Sequence, residues 1–127
     1  MFVDIMGIKY PASYTIRAQN LIDEQFGGLD QMGSKMQEVG DAGKFDLIAD
    51  LLAILIDGGV TRGRVECELL GTEYDGPAAI SAEAIKQLLK PGEVFDLYPA
   101  LMDEIRDGYK TTIKLKPPKA KNVKATP

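Results

Sequence analysis

The first residues of the chain alternate between apolar and polar positions, which is typical of a β-strand with one face on a core. Val3 and Ile5 fall on one face of this stretch, and Gly7 follows as a turn residue. The extended pattern resumes over residues 9–15, where Pro11 lacks the N–H donor that an inner strand needs. The pattern therefore predicts a short N-terminal β-hairpin, with Pro11 on an outer or irregular edge.

Apolar spacings of three and four residues then replace the alternation, and they predict helices. A first helix covers residues 16–25 and ends at Gly27-Gly28, because glycine adopts the left-handed conformation at low cost. Its predicted inner face consists of Ile16, Leu21, Ile22 and Phe26. A second helix covers residues 29–39, and its apolar stripe includes Met32 and Met36.

The longest apolar run spans residues 45–57 and predicts the central helix of the fold. Its three polar residues, Asp46, Asp50 and Asp57, lie with Ala53 on one narrow stripe. The remaining positions up to residue 56 are apolar, so most of the helix circumference is expected to be buried. Gly58-Gly59 is interpreted as the end of this helix, since glycine commonly follows a helix.

Residues 60–70 fit a helix less clearly, because Gly63 interrupts them. A helix here would turn Val65 and Leu69 inward, together with Cys67 or Leu70. Residues 71–79 contain Gly76-Pro77 and predict a loop.

Two further helices are predicted near the end of the chain. Ser81 is a natural cap for a short helix. Its inward residues are expected to be Ile85, Leu88 and Leu89. The last helix covers residues 93–109, and Pro99 within it implies either a kink or a start just before the proline.

The predicted fold class is mainly α: a small bundle of about five helices with a short N-terminal β-hairpin. With 127 residues, of which 45% are hydrophobic and 27% charged, the chain fits one soluble domain. Residues 1–109 are assigned to that domain. Residues 110–127 are Lys- and Pro-rich and predict a disordered tail, particularly after Lys116.

Charge is divided unevenly along the sequence. The last eighteen residues hold six Lys and no acid, whereas residues 1–109 hold nine Lys or Arg and nineteen acids. The acidic body is poorly suited to nucleic acid, because phosphate contacts need clustered basic residues. The basic tail is compatible with RNA, an anionic membrane or an acidic protein as partner, and equally with a solvated end that only aids solubility.

Several classes of chemistry are excluded by composition. The chain has no His, and Cys67 is its single cysteine. Zinc ligand sets and Ser-His-Asp or Cys-His catalysis therefore lack the residues they need. Cys67 cannot form an internal disulfide, and we interpret it as a small core residue. Residues 1–9 lack the pattern of a secretory signal, and no run reaches the length of a membrane span.

Two clusters of side chains allow competing interpretations. Asp46, Asp50 and Asp57 could bind Mg²⁺ or Ca²⁺ through oxygen ligands, or form the solvent-facing stripe of a buried helix, which we favour. Met32 and Met36 could form a flexible protein-binding face or fill the core. We take these two Met as the candidate protein-binding residues. We predict no catalytic residue, no metal site and no cofactor, and hence a protein that is not an enzyme.

The order of these elements resembles that of the tail assembly chaperones of long-tailed bacteriophages. The resemblance rests on residues 7–10 (Gly-Ile-Lys-Tyr), on the acidic helix ending in Phe26-Gly27-Gly28, and on the apolar helix that precedes Gly58-Gly59. The two later helices follow in the expected order. The likeness extends over roughly residues 4–109.

The resemblance implies a non-enzymatic role in virion assembly in the host cytoplasm. Chaperones of this family bind the tape measure protein, a long helical chain with exposed apolar faces, keep it soluble, and help recruit tail tube subunits. They are absent from the mature virion. Binding a long partner through repeated contacts leads us to expect self-association as well.

Two other functions stay open at this point. The chain could be a small adaptor or regulatory domain that uses its basic tail to bind RNA or an acidic protein. It could also be an enzyme that works with carboxylates alone, for example with Mg²⁺.

Overall fold

The computed structural model describes residues 1–110 and shows a mainly α fold with an N-terminal β-hairpin, as predicted. Its elements are β1 (Phe2–Ile5), β2 (Ile8–Pro11), α1 (Ile16–Phe26), α2 (Leu29–Glu38), α3 (Asp41–Leu70), α4 (Ala82–Leu88) and α5 (Pro91–Asp107). Helix α3 is central and packs against β2 and the other four helices. The tail predicted beyond Lys110 lies outside the described residues.

The hairpin forms around a two-residue turn. Met6 and Gly7 both adopt positive φ angles, of 58° and 79°, which match the right-handed twist of a tight hairpin. β1 and β2 pair antiparallel with Ile5 opposite Ile8. Val3 and Ile5 are each 2% exposed, so the alternation placed the core face of β1 correctly. β2 ends at Pro11, earlier than the predicted extended stretch.

α1 is capped by Thr15 and ends at Gly27, but one of its predicted core residues faces solvent. The Thr15 hydroxyl accepts a hydrogen bond from the Ala18 N–H at 3.2 Å, and Gly27 ends the helix with a φ of 81°. The buried stripe is Ala18, Ile22 and Phe26. Ile16 lies two positions before Ala18, about 200° around the helix, and is 78% exposed. Its assignment to the inner face was wrong.

The prediction that Gly58-Gly59 ends the central helix was also wrong. α3 is continuous for 30 residues and passes through both glycines, which are buried. They lie against the chain that follows β2: a Cβ on Gly58 would come within 2.5 Å of the Ser13 carbonyl oxygen, and one on Gly59 would overlap the Pro11 carbonyl group. The Ser13 N–H also donates to the Leu55 carbonyl at 2.9 Å. The glycines permit close packing rather than a helix stop.

The last turns of α3 extend beyond the packed core. Residues 60–70 are helical, but most of the side chains expected to face inward do not. Val65 is 45% exposed, Leu69 82% and Leu70 77%, whereas Cys67 is half-buried. The prediction relied on apolar spacing, which does not show whether another element covers a helix face.

The loop between α3 and α4 is held by Tyr74. Its hydroxyl donates to the Pro77 carbonyl at 2.7 Å, and the Arg64 guanidinium lies 4.9 Å from the centre of its ring. Gly63 permits this contact, because a Cβ there would lie 2.9 Å from the Tyr74 ring. The predicted loop is therefore confirmed, and it packs against α3 through Tyr74.

The two C-terminal helices largely match their predictions. The Ser81 hydroxyl caps α4, and Ile85 is fully buried, whereas Leu88 is 43% exposed instead of inward. α5 starts at Pro91 and runs through Pro99, so the helix begins well before that second proline.

The end of α5 is tied to the segment before α1 by two tyrosines. The Tyr14 and Tyr109 hydroxyls are 3.1 Å apart. Burial, followed by this hydrogen bond, raises the pKa of Tyr14 above its usual range. Tyr109 lies two residues beyond the end of α5, although the last helix was predicted to include it, and is 66% exposed.

Substituting alanine for two helical glycines should change the stability of the protein in opposite directions. Gly59→Ala should lower the free energy of unfolding by about 1–3 kcal/mol, because the new methyl group overlaps the backbone at Pro11. Gly33→Ala in α2 should raise it by up to about 1 kcal/mol, because nothing lies within 4 Å of the added Cβ. Urea denaturation measures both, and a Gly59→Ala protein as stable as Gly33→Ala would contradict the close packing.

Candidate functional site

An apolar cleft of about 490 Å³ opens at the N-terminal end of α3, between α2, α3 and α5. Its lining residues are Gly33, Met36, Gln37, Asp41, Lys44, Phe45, Ile48, Phe95 and Tyr98. Each helix contributes residues spaced three or four apart, so each presents one face to the cleft. We call this surface the α2–α5 cleft.

The cleft exists because α5 carries more apolar surface than the core can cover. Val94, Leu101 and Ile105 form the buried stripe of α5, each at most 4% exposed. Phe95 lies one position, about 100°, away from Val94 and is 66% exposed. A single exposed apolar side chain is ordinary, but Phe95 continues into a surface with Tyr98 and other apolar residues.

The floor and the rim of the cleft differ in polarity. Ile48, 3% exposed, forms part of the floor, and the half-buried Phe45 and Met36 stand beside it. Gln37, Asp41 and Lys44 supply the polar groups of the lining. An apolar floor with a polar border is suited to the apolar face of an amphipathic helix, which places spaced side chains in a groove.

The two methionines predicted to bind protein are not exposed together. Met32 is 2% exposed and belongs to the core, because its side of α2 faces α3. In this conformation it offers no surface to a partner, which corrects its assignment to a binding face. Met36, one turn later, is half-buried and lines the α2–α5 cleft. A binding role for Met36 stays a prediction.

The acidic stripe of α3 is neutralised by basic residues of the flanking helices. The Lys86 ammonium of α4 lies 3.1 Å from Asp50 and 4.0 Å from Asp46. The Arg17 guanidinium of α1 donates to Asp57 at 2.6 Å. Hydrogen bonds to Asp50 and Asp57 raise the pKa values of Lys86 and Arg17, respectively.

These ion pairs change the interpretation of the stripe. It was expected to face solvent, and Asp46 does so with its side chain 64% exposed, whereas Asp50 and Asp57 are partly covered by α4 and α1 and are 26% and 28% exposed. Among residues 1–110, no group of three or more His, Cys, Asp or Glu is placed to hold a metal ion. Surface pairs of this kind contribute little to stability, and α1 and α4 pack on α3 chiefly through the buried Ile22 and Ile85.

Phe95 was not identified from the sequence, although a signal was present. It is an aromatic residue adjacent to Val94 in a helix whose stripe is already complete without it. Such a surplus aromatic residue indicates a second apolar face. Phe45 was assigned to the buried central helix, and it is half-buried because α3 begins four residues before it, beyond the tightest packing.

Comparison of the chain with protein-family models, with curated proteins and with solved structures found no significant match. None of the helices within residues 1–110 is long and apolar enough to cross a membrane.

Alanine substitutions at two neighbouring residues of α5 should differ in their effect on stability. Phe95→Ala should change the free energy of unfolding by less than about 0.5 kcal/mol, because the side chain is mostly exposed. Val94→Ala should lower it by about 2 kcal/mol, because that side chain is buried. Denaturant titration of both variants checks this, and an equal loss in Phe95→Ala would make Phe95 a structural residue.

Proposed function

We propose that this protein is a non-enzymatic chaperone that holds the apolar face of a helical partner in the α2–α5 cleft. The observation that carries the proposal is the cleft itself, in which Phe95 is 66% exposed beside Met36, Phe45 and Tyr98. Full burial of a Phe side chain is favourable by about 1.5–3 kcal/mol, and a bound partner would recover the part that the exposed two-thirds of Phe95 leaves unused.

The partner we propose is the tape measure protein of a long-tailed bacteriophage. The support is the resemblance of residues 4–109 to tail assembly chaperones, together with a helical body and an N-terminal hairpin in the order that this resemblance implies. The chaperone would act in the host cytoplasm, help recruit tail tube subunits, and leave before the virion is mature. Tape measure proteins have exposed apolar faces that fit an apolar cleft.

One cleft supports only weak binding. Association costs at least about 4 kcal/mol in lost translational and rotational freedom, and a small apolar contact exceeds this by little. Many copies along one long partner would bind strongly together while each contact stays easy to break. Release to tail tube subunits then requires no covalent step or nucleotide.

Co-expression with the tape measure protein from the same phage genome tests the proposal. The wild-type chain should keep that protein in the soluble fraction. Phe95→Glu should lose this effect, because a charge in the cleft opposes an apolar partner. Leu88→Glu is the matched control, since Leu88 is 43% exposed on α4 and does not line the cleft.

Two outcomes would count against the proposal. If the tape measure protein is equally insoluble with and without the wild-type chain, the chaperone function is wrong. If truncation after Thr111 abolishes partner binding while Phe95→Glu leaves it intact, the basic segment is the site. That result would favour the alternative of an adaptor for RNA or an acidic protein, which the six Lys of residues 110–127 suggest.

A further inference from the structure

The projecting end of α3 carries a second apolar surface, separate from the cleft. Thr61, Val65 and Leu69 follow one another at intervals of four residues, so they form one stripe along the helix. Val65 is 45% exposed and Leu69 82%. We call these three residues the α3 stripe. Within residues 1–110, the start of α1 borders only the first part of this stripe, where Thr15 and Arg17 line a pocket with Thr61 and Val65.

Charged residues flank the α3 stripe in a repeated pattern. At about 100° per residue, Arg62 and Glu66 lie along one side of the stripe, and Arg64 and Glu68 lie along the other. On each side an Arg precedes a Glu by four positions. Arg62 and Glu66 are each 60% exposed, with 3.7 Å between the Arg62 Nε and a Glu66 carboxylate oxygen.

This pattern is complementary to itself when two copies pair antiparallel. In such a pair, the same flank of each helix meets across the contact. A two-fold axis close to Val65 brings Arg62 to within about 3 Å, along the helix axis, of the level of Glu66 of the second copy, which is within reach of both side chains. Arg64 and Glu68 are offset by the same amount on the second flank, where Arg64 also lies over the Tyr74 ring. A parallel pair would bring Arg62 beside Arg64 of the second copy, which like-charge repulsion opposes.

We infer that the α3 stripe is a self-association surface that binds the same stripe of a second copy in antiparallel orientation. The occupant is a second copy because a two-fold contact joins the same patch on both chains. In such a contact the apolar centre meets itself, and each charged flank meets its own complement. Ten residues of helix, Thr61 to Leu70, span about 15 Å. A contact of that length falls at the small end of specific interfaces, so the dimer should be weak and concentration-dependent.

The location of the stripe has a consequence for binding, and this step alone rests on the proposed function. Val65 follows Phe45 by twenty residues of one helix, so the stripe and the α2–α5 cleft are about 30 Å apart. Antiparallel pairing directs the two clefts of a dimer to opposite ends. Two clefts on one long helical partner raise the affinity without any new contact.

Two single charge reversals test the orientation and the occupant. Arg62→Glu makes one flank wholly acidic, and Glu66→Arg makes it wholly basic. Each variant alone should dimerise about tenfold more weakly than the wild type, because two pairs per dimer become repulsive. An equimolar mixture should recover dimers, since the flanks are then opposite in charge. Both variants lose the internal Arg62–Glu66 pair equally, so only contacts between copies explain the recovery.

Analytical ultracentrifugation of the full chain without any partner protein measures these changes. A mixture no more dimeric than either variant alone would overturn the proposal, as would a wild-type chain that stays monomeric at millimolar concentration. Circular dichroism checks that each variant keeps its helices.

A second pair of variants tests the apolar stripe. Leu69→Asp should abolish the dimer, because it places a charge at the contact. Leu70→Asp is the matched control: Leu70 is 77% exposed, yet it lies about 100° around the helix, on the side towards Tyr74. An equal loss in Leu70→Asp would contradict the stripe. Phe95→Glu should dimerise as the wild type does, so failure of the cleft and failure of the stripe are distinguishable.

Discussion

The close approach of α3 to the segment after β2 is the constraint on which the rest of the structure depends. At Gly58 and Gly59 the helix has no side chain, so the backbone of residues 11–13 lies directly on it, and the Ser13 N–H bonds to the Leu55 carbonyl. Two glycines inside a helix cost about 1 kcal/mol each in propensity. The buried contact with residues 11–13 outweighs this propensity cost, and α3 remains one continuous helix of 30 residues.

Because α3 is one continuous helix, it carries two apolar surfaces at its opposite ends. The α2–α5 cleft lies beside the first turns of α3, and the α3 stripe lies on its last turns. Between them, Lys86 and Arg17 pair with Asp50 and Asp57 of the acidic stripe, beside the buried Ile85 and Ile22 that pack α4 and α1 on the helix. Both apolar surfaces suit weak contacts, which are useful where a partner must be covered and then released.

Local signals predicted the elements well and the tertiary environment less well. The hairpin, the Ser81 cap and the end of α1 at Gly27 lie where the local patterns placed them, because those patterns depend on near neighbours in sequence. A glycine pair has the same local pattern whether it ends a helix or allows another chain to approach, so Gly58-Gly59 was misassigned. Apolar spacing also does not reveal whether a partner element exists, which is why Leu69 was expected to be buried and Phe95 was missed.

The central claim is that the α2–α5 cleft receives an apolar helical segment. Methionine methyl NMR tests it most directly, because Met36 lines the cleft, while Met6 is 75% exposed at the hairpin turn and does not line it. Titration with an amphipathic helical peptide from the tape measure protein should shift the Met36 methyl signal progressively and leave that of Met6 unchanged. A shift at Met6 without one at Met36, or no shift at either, would contradict the account.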